Sequence, residues 1–254
     1  MRTILKRLIV YPLIGILVLT GFGCSGGSKA KKADKTLGIE EHFELAYRAA
    51  ERGHLDEAVA EYERVLKLDP KHAKSHVNLG IIYGKQGKWK KQISEYEKAI
   101  AIDRTMTEAY YNLGIAYSER GNLDDAIKQY QKALQTDPNF VEGHTNLGIM
   151  YLRKGRIDDA IFEYTKAIEI KPDYAKGYYN LGSVYRQQGK TEEAMNLFQK
   201  AIEINPKYGE AYYSLAVLYF EKKDYRQAVQ HCEQALKFGV TVDQKFLDRL
   251  KHYR

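Results

Sequence analysis

Asn112-Leu113-Gly114-Ile115-Ala116-Tyr117 is one of four near-copies of the same six residues in this chain. The others are Asn78-Leu79-Gly80-Ile81-Ile82-Tyr83, Asn146-Leu147-Gly148-Ile149-Met150-Tyr151 and Asn180-Leu181-Gly182-Ser183-Val184-Tyr185. Successive copies begin 34 residues apart. Extending this frame gives six contiguous units, 39–72, 73–106, 107–140, 141–174, 175–208 and 209–242, with no insertion. A period of this length is the mark of one supersecondary unit whose apolar face only a neighbouring copy can cover.

The columns of the repeat specify a helical hairpin. The seventh position is Leu45, Leu79, Leu113, Leu147, Leu181 and Leu215; the eighth is Ala46, Gly80, Gly114, Gly148, Gly182 and Ala216. The eleventh is Ala49 and then Tyr83, Tyr117, Tyr151, Tyr185 and Tyr219. Spacings of three and four put these side chains on one helical face. Glycine at the fifteenth position in five units, with Lys223 in the sixth, ends the first helix, because glycine enters the left-handed region at least cost. A second helix opens on acids such as Asp124-Asp125 and Glu192-Glu193, which complement the helix dipole. It carries Ala58, Ala126, Ala160, Ala194 and Ala228 where the helices cross and aromatics at Tyr62, Tyr96, Tyr130, Tyr164 and Phe198. It stops at Pro70, Pro138, Pro172 or Pro206.

These residues resemble the tetratricopeptide repeat family, over 204 of 254 residues. The resemblance implies an all-α, right-handed superhelical solenoid of six hairpins with a concave groove. Residues 243–254, with Phe246, Leu247, Leu250 and Tyr253, read as a capping helix over the last hairpin. Some positions depart from the pattern. Gln92 stands where five units have alanine, so crowding is expected there and alanine should be neutral or stabilising. Arg104 and Val240 replace proline, and Cys232 fills an aromatic slot as a small buried hydrophobe.

The net charge of +7 is unevenly placed. Residues 1–38 hold seven Lys/Arg and one Asp, leaving the repeats at +1. The repeats therefore lack the positive excess that nucleic-acid binding needs. Arg2, Lys6 and Arg7 precede an uncharged, mostly apolar run from Leu8 to Gly23. As a helix this run would span about 24 Å, short of the roughly 30 Å hydrocarbon core. Segment 1–23 reads as an export signal. With Gly23 before Cys24 it resembles a bacterial lipoprotein signal, which implies lipidation at Cys24. The match is imperfect, with Gly21 where leucine is usual and Phe22 where a small residue is usual. An uncleaved N-terminal helix and a plain secretory signal are the alternatives. Residues 24–38 form a polar linker, its 13 residues Ser25 to Leu37 reaching roughly 20 Å.

No residue pattern points to catalysis, a metal, a cofactor or a small-molecule substrate. The paired acids recur at one repeat position, as an architectural feature would. His42, His76 and His144 share the fourth position, where a packing ring is expected, and form no HExxH spacing. Gly84-Lys85-Gln86-Gly87-Lys88 lacks the phosphate-loop pattern.

The resemblance also implies that the concave surface comes from the first helix of each hairpin. Its sixth position carries Asn78, Asn112, Asn146 and Asn180, whose amides could bond a peptide backbone whatever its sequence. Beside them stand Ile81, Ile115 and Ile149, with Tyr111, Tyr179 and Tyr213, a surface suited to an extended or helical peptide. The Lys and Asn with which chaperone-binding relatives clamp a carboxylate are absent from the fifth and ninth positions. The expected function is a lipid-anchored scaffold in the bacterial envelope, facing the periplasm and binding protein or peptide clients. A pilus or secretin assembly lipoprotein, a substrate-presenting subunit of an enzyme complex and an inert spacer remain open on the residues alone.

Overall fold

The computed structural model describes residues 37–253. The expected signal 1–23, Cys24 and nearly all of the linker lie outside the described residues. Within them there are thirteen α-helices and no strand. The six hairpins are α1 (Ile39–Glu51) with α2 (Leu55–Leu68), α3 (Ala73–Lys85) with α4 (Trp89–Ile102), α5 (Thr107–Glu119) with α6 (Leu123–Thr136), α7 (Val141–Arg153) with α8 (Ile157–Ile170), α9 (Ala175–Gln187) with α10 (Thr191–Ile204), and α11 (Gly209–Glu221) with α12 (Tyr225–Lys237). Each second helix packs on its own first helix and on the first helix of the next hairpin. The hairpins thus stack in chain order. A short α13 (Gln244–Leu250) closes the stack: Leu250 is buried with Ala216, Ala228, Cys232 and Val242, and Phe246 packs against that cluster.

Close approach inside each hairpin depends on the eighth position. A Cβ added at Gly114 would sit 2.7 Å from the Tyr130 ring, and one at Gly148 2.7 Å from the Tyr164 ring. The sixth hairpin reverses the sizes, with Ala216 in the glycine column and the smaller Cys232, 1% exposed, in the ring column. The first hairpin keeps a full ring, Tyr62, opposite Ala46, so nothing in the structure explains the cysteine. With Arg104 in place of proline the turn keeps the bond of the proline units: Asp103 accepts from the Thr105 N–H at 2.8 Å, as Asp69 does from the Lys71 N–H at 2.9 Å, and also from the Thr105 hydroxyl at 2.7 Å.

Gln92 corrects the expectation of crowding. Its side chain is buried, and it bonds the Tyr96 hydroxyl. It fills the space opposite Gly84, where a Cβ would come within 2.6 Å of Gln92 Nε2. Small and large have exchanged places between the helices, so the amide is packed and bonded rather than crowded.

Polar ties join the helices of three hairpins. The rings of His42, His76 and His144 meet Glu61, Glu95 and Glu163, each pair 2.6 Å apart and 19 residues apart in sequence. The third hairpin has Tyr110 and Gln129 at those positions. His144 also reaches the Pro138 carbonyl at 3.0 Å through Nε2. With an acceptor at both ring nitrogens, the doubly protonated imidazolium is the form that satisfies the site. Burial works against that charge, but the Glu163 carboxylate and the Pro138 carbonyl outweigh it and raise the His144 pKa. Burial likewise opposes the Glu95 carboxylate, and hydrogen bonds from His76 and Lys98 overcome it and lower its pKa.

Two outcomes follow for stability. Gln92→Ala should destabilise the chain by about 2 kcal/mol, the sum of a lost buried hydrogen bond and a small cavity. Gly84→Ala should recover part of this loss in the Gln92→Ala background, although it clashes in the native chain. Urea unfolding of the three variants measures both effects. For His144 the folded pKa lies above its unfolded value of about 6.5, so its contribution is complete below that pH and fades as pH rises through the folded value. A His144→Tyr/Glu163→Gln variant, which copies the third hairpin, should lack this decline in unfolding free energy measured from mildly acidic to alkaline pH.

Candidate peptide-binding groove

The sixth-position amides are presented by α3, α5, α7 and α9, in corresponding places on successive hairpins. They are not equivalent. Asn78 donates to the Tyr62 hydroxyl at 2.9 Å. Asn146 is 5% exposed and donates to the Tyr111 hydroxyl at 2.9 Å. Asn112 is half-exposed and makes no hydrogen bond among the described residues. Asn180 is also half-exposed as a residue, but its amide nitrogen is buried with no acceptor.

The fifth position of the preceding hairpin decides which amides are taken at the later junctions. Asn146 meets the tyrosine hydroxyl of Tyr111. The residue in the same relation to Asn112 is Val77, which has nothing to accept with. For Asn180 it is Thr145, whose hydroxyl is turned to the Val141 carbonyl at 2.8 Å. Asn78 follows Phe43 and turns instead to a ring of the second helix. A buried amide nitrogen without an acceptor costs about 1–3 kcal/mol, and a backbone carbonyl brought to Asn180 would recover that cost.

The expected rings divide in the same way. Tyr111 is 6% exposed and stands edge-on to Phe140 at 4.8 Å. Burial raises its hydroxyl pKa, keeping it neutral. It is part of the wall rather than an open ring. Tyr179, edge-on to Tyr208 at 5.2 Å, and Tyr213, edge-on to Phe246 at 5.9 Å, are half-buried and keep accessible surface. Ile81, Ile115 and Ile149 are also half-buried, with their inner sides against the core. Lys176, one turn before Asn180, is half-buried, and burial lowers its pKa against the opposing pull of Glu142.

The surface is therefore a strip of partly covered isoleucine and tyrosine with two uncommitted amides, Asn112 and Asn180, two hairpins apart. The link between position five of one hairpin and position six of the next could be sought in the sequence by comparing these two columns. Its bonding pattern, however, needs the stacking geometry. Among the described residues no three His, Cys, Asp or Glu side chains gather as a metal site would require. No helix among them is long and apolar enough to cross a membrane.

Sequence and structure comparisons agree with this geometry. A TPR repeat profile matches residues 46–87, 82–119, 150–186 and 182–223. Tetratricopeptide repeat profiles match 107–140 and 209–238, and a further one 129–162. No curated protein sequence gives a significant match. A crystal structure of MamA is 31% identical, with a TM-score of 0.59, covering 65% of this chain and 97% of that one. YrrB, described as a TPR protein with an unusual peptide-binding site, is 23% identical with a TM-score of 0.56, covering 72% of this chain and 91% of that one. PilF of Pseudomonas aeruginosa is 16% identical with a TM-score of 0.71, covering 85% of this chain and 97% of that one. The last two likenesses are of fold alone. With the repeat profiles covering more than half of its length and the hairpins stacked as they require, the chain belongs to the tetratricopeptide repeat family.

Proposed function

We propose that this chain is a membrane-tethered scaffold that holds extended peptide segments of client proteins in its concave groove. The fold supports a protein-interaction scaffold in general. The observation that carries the finer reading is the alternation of committed and uncommitted amides. Asn146 holds a neighbouring tyrosine, while Asn180 leaves a donor without an acceptor and Asn112 makes no bond. An extended backbone laid along the strip would offer a carbonyl to the Asn112 amide, a second to that of Asn180 once its side chain turns outward, and apolar side chains to Ile115, Ile149 and Tyr179. Tethering, and with it a position in the bacterial envelope facing the periplasm, rests on the leader and on Cys24.

The two parts are tested separately. Peptides recovered by mild crosslinking and co-purification would be titrated by calorimetry against the full chain. Asn112→Ala/Asn180→Ala should weaken binding by about 1–3 kcal/mol, roughly five- to 150-fold, with little change in melting temperature. Asn146→Ala should do the reverse in stability, lowering it by about 1 kcal/mol because the buried Tyr111 hydroxyl loses its donor. If the double variant binds like a Lys128→Ala/Asn196→Ala control on exposed positions of the second helices, the amides are structural only. For the tether, Cys24→Ser should release the protein from the membrane fraction, since acyl burial contributes about 0.8 kcal/mol per CH₂. Intact mass of the membrane-bound form showing an unmodified start at Met1 would end that part of the reading.

A further inference from the structure

The turn between α3 and α4 brings three features together at one spot. The first feature is electrostatic. The first turns of α2, α6, α8 and α10 each carry two acids, Asp56 and Glu57, Asp124 and Asp125, Asp158 and Asp159, and Glu192 and Glu193. The first turns of α4 and α12 have none; α12 carries one cation there, Arg226 beside Gln227, whereas α4 carries two, Lys90 and Lys91. Cations at a helix N-terminus oppose the dipole and cost stability.

The second feature is a missing latch, which the junction of Gln188 with Asp158 also lacks. At three junctions the fourteenth position of one hairpin bonds the eighteenth position of the hairpin before it: Gln86 with Asp56 at 2.9 Å, Lys154 with Asp124, and Lys222 with Glu192. At the junction after the second hairpin these positions are Arg120 and Lys90, which repel. Arg120 lies instead over the Trp89 ring, 4.6 Å from its centroid. The third feature is Trp89 itself, the only tryptophan in the chain. Its ring is 40% exposed, where Leu55, Leu123 and Ile157 are half-buried.

Lys85, Lys88, Lys90, Lys91 and Arg120 are all exposed, and none has an ion-pair partner among the described residues. No acid among the described residues is within ion-pair distance of these five, and Glu119 is a single carboxylate next to Arg120. The repeats carry a net charge near zero, so five unpaired cations around one open indole are a local asymmetry that lowers the fold's own stability. A ring with an apolar body and a polar N–H is suited to the headgroup level of a bilayer, and a lysine cluster to its anionic surface.

We propose that the α3–α4 turn, through Trp89 and the surrounding Lys88, Lys90, Lys91 and Arg120, is a docking face for anionic membrane lipid. The linker would place the first hairpins within a few tens of ångströms of a bilayer, so this inference uses the proposed tether for proximity but is independent of the peptide groove. Docking would hold the solenoid at a set orientation to the surface, where a linker alone would leave it free.

Trp89 reports on its own environment. The full chain would be reconstituted with vesicles of phosphatidylcholine alone and of phosphatidylcholine with phosphatidylglycerol, and tryptophan emission and acrylamide quenching recorded. A blue shift and protection from quencher are expected only with the anionic vesicles, and high salt should reverse them. Lys88→Glu/Lys90→Glu/Lys91→Glu should abolish the shift and lower partitioning of the docking face by about a hundredfold. The same variant should fold at least as stably as the native chain, because it restores acids to the first turn of α4. Identical emission in both kinds of vesicle, or a shift that survives in the triple variant, would overturn the proposal. So would the same shift produced by dissolved phosphate or by a single-stranded oligonucleotide, which would assign the patch to a free anion or to nucleic acid.

Discussion

In four of the six hairpins an aromatic ring from the second helix lies against a glycine of the first, closer than a Cβ would allow. Gly80 with Tyr96, Gly114 with Tyr130, Gly148 with Tyr164 and Gly182 with Phe198 are these pairs. The contact sets the distance between the two helices, and that distance sets how the next hairpin can sit. The rings are almost fully buried, so each contributes a large share of the apolar area that joins the stack. Glycine in a helix interior costs about 1 kcal/mol relative to alanine. Burial of a whole ring exceeds that cost.

The same constraint organises the exceptions. In the second hairpin the partners exchange sizes, with Gln92 fitted against Gly84, whereas the first accommodates Ala46 beneath an unchanged ring, Tyr62. Core packing responds to volume at the level of single methylenes, so a departure on one helix is legible only with its partner on the other. The three His–Glu pairs follow the same logic in polar form. A carboxylate at that depth requires a donor; the first, second and fourth hairpins supply both members, and the third, fifth and sixth carry no carboxylate at that place.

The groove and the α3–α4 turn contrast with this economy. Core positions are paired in size and charge, whereas Asn180 holds a donor without an acceptor and α4 begins on cations. Both features cost stability without improving packing. Departures from local consistency of this kind concentrate where a chain meets something other than itself, and they lie apart in the solenoid, one on the first helices of successive hairpins and one at a hairpin turn.

The 34-residue register, the two helices of each unit and the buried columns followed from the sequence alone, because periodic apolar spacing and glycine punctuation are local signals. The four asparagines could also be seen to share one column. Which of them is free could not be read there. Asn146 and Asn112 are both followed by Leu-Gly-Ile, and they differ because the residue facing each comes from the preceding hairpin, Tyr111 in one case and Val77 in the other. The fit of Gln92 against Gly84 and Tyr96 was hidden for the same reason. Its environment is set by the packing of one helix on another, and sequence position by itself does not say which side chains meet across that contact.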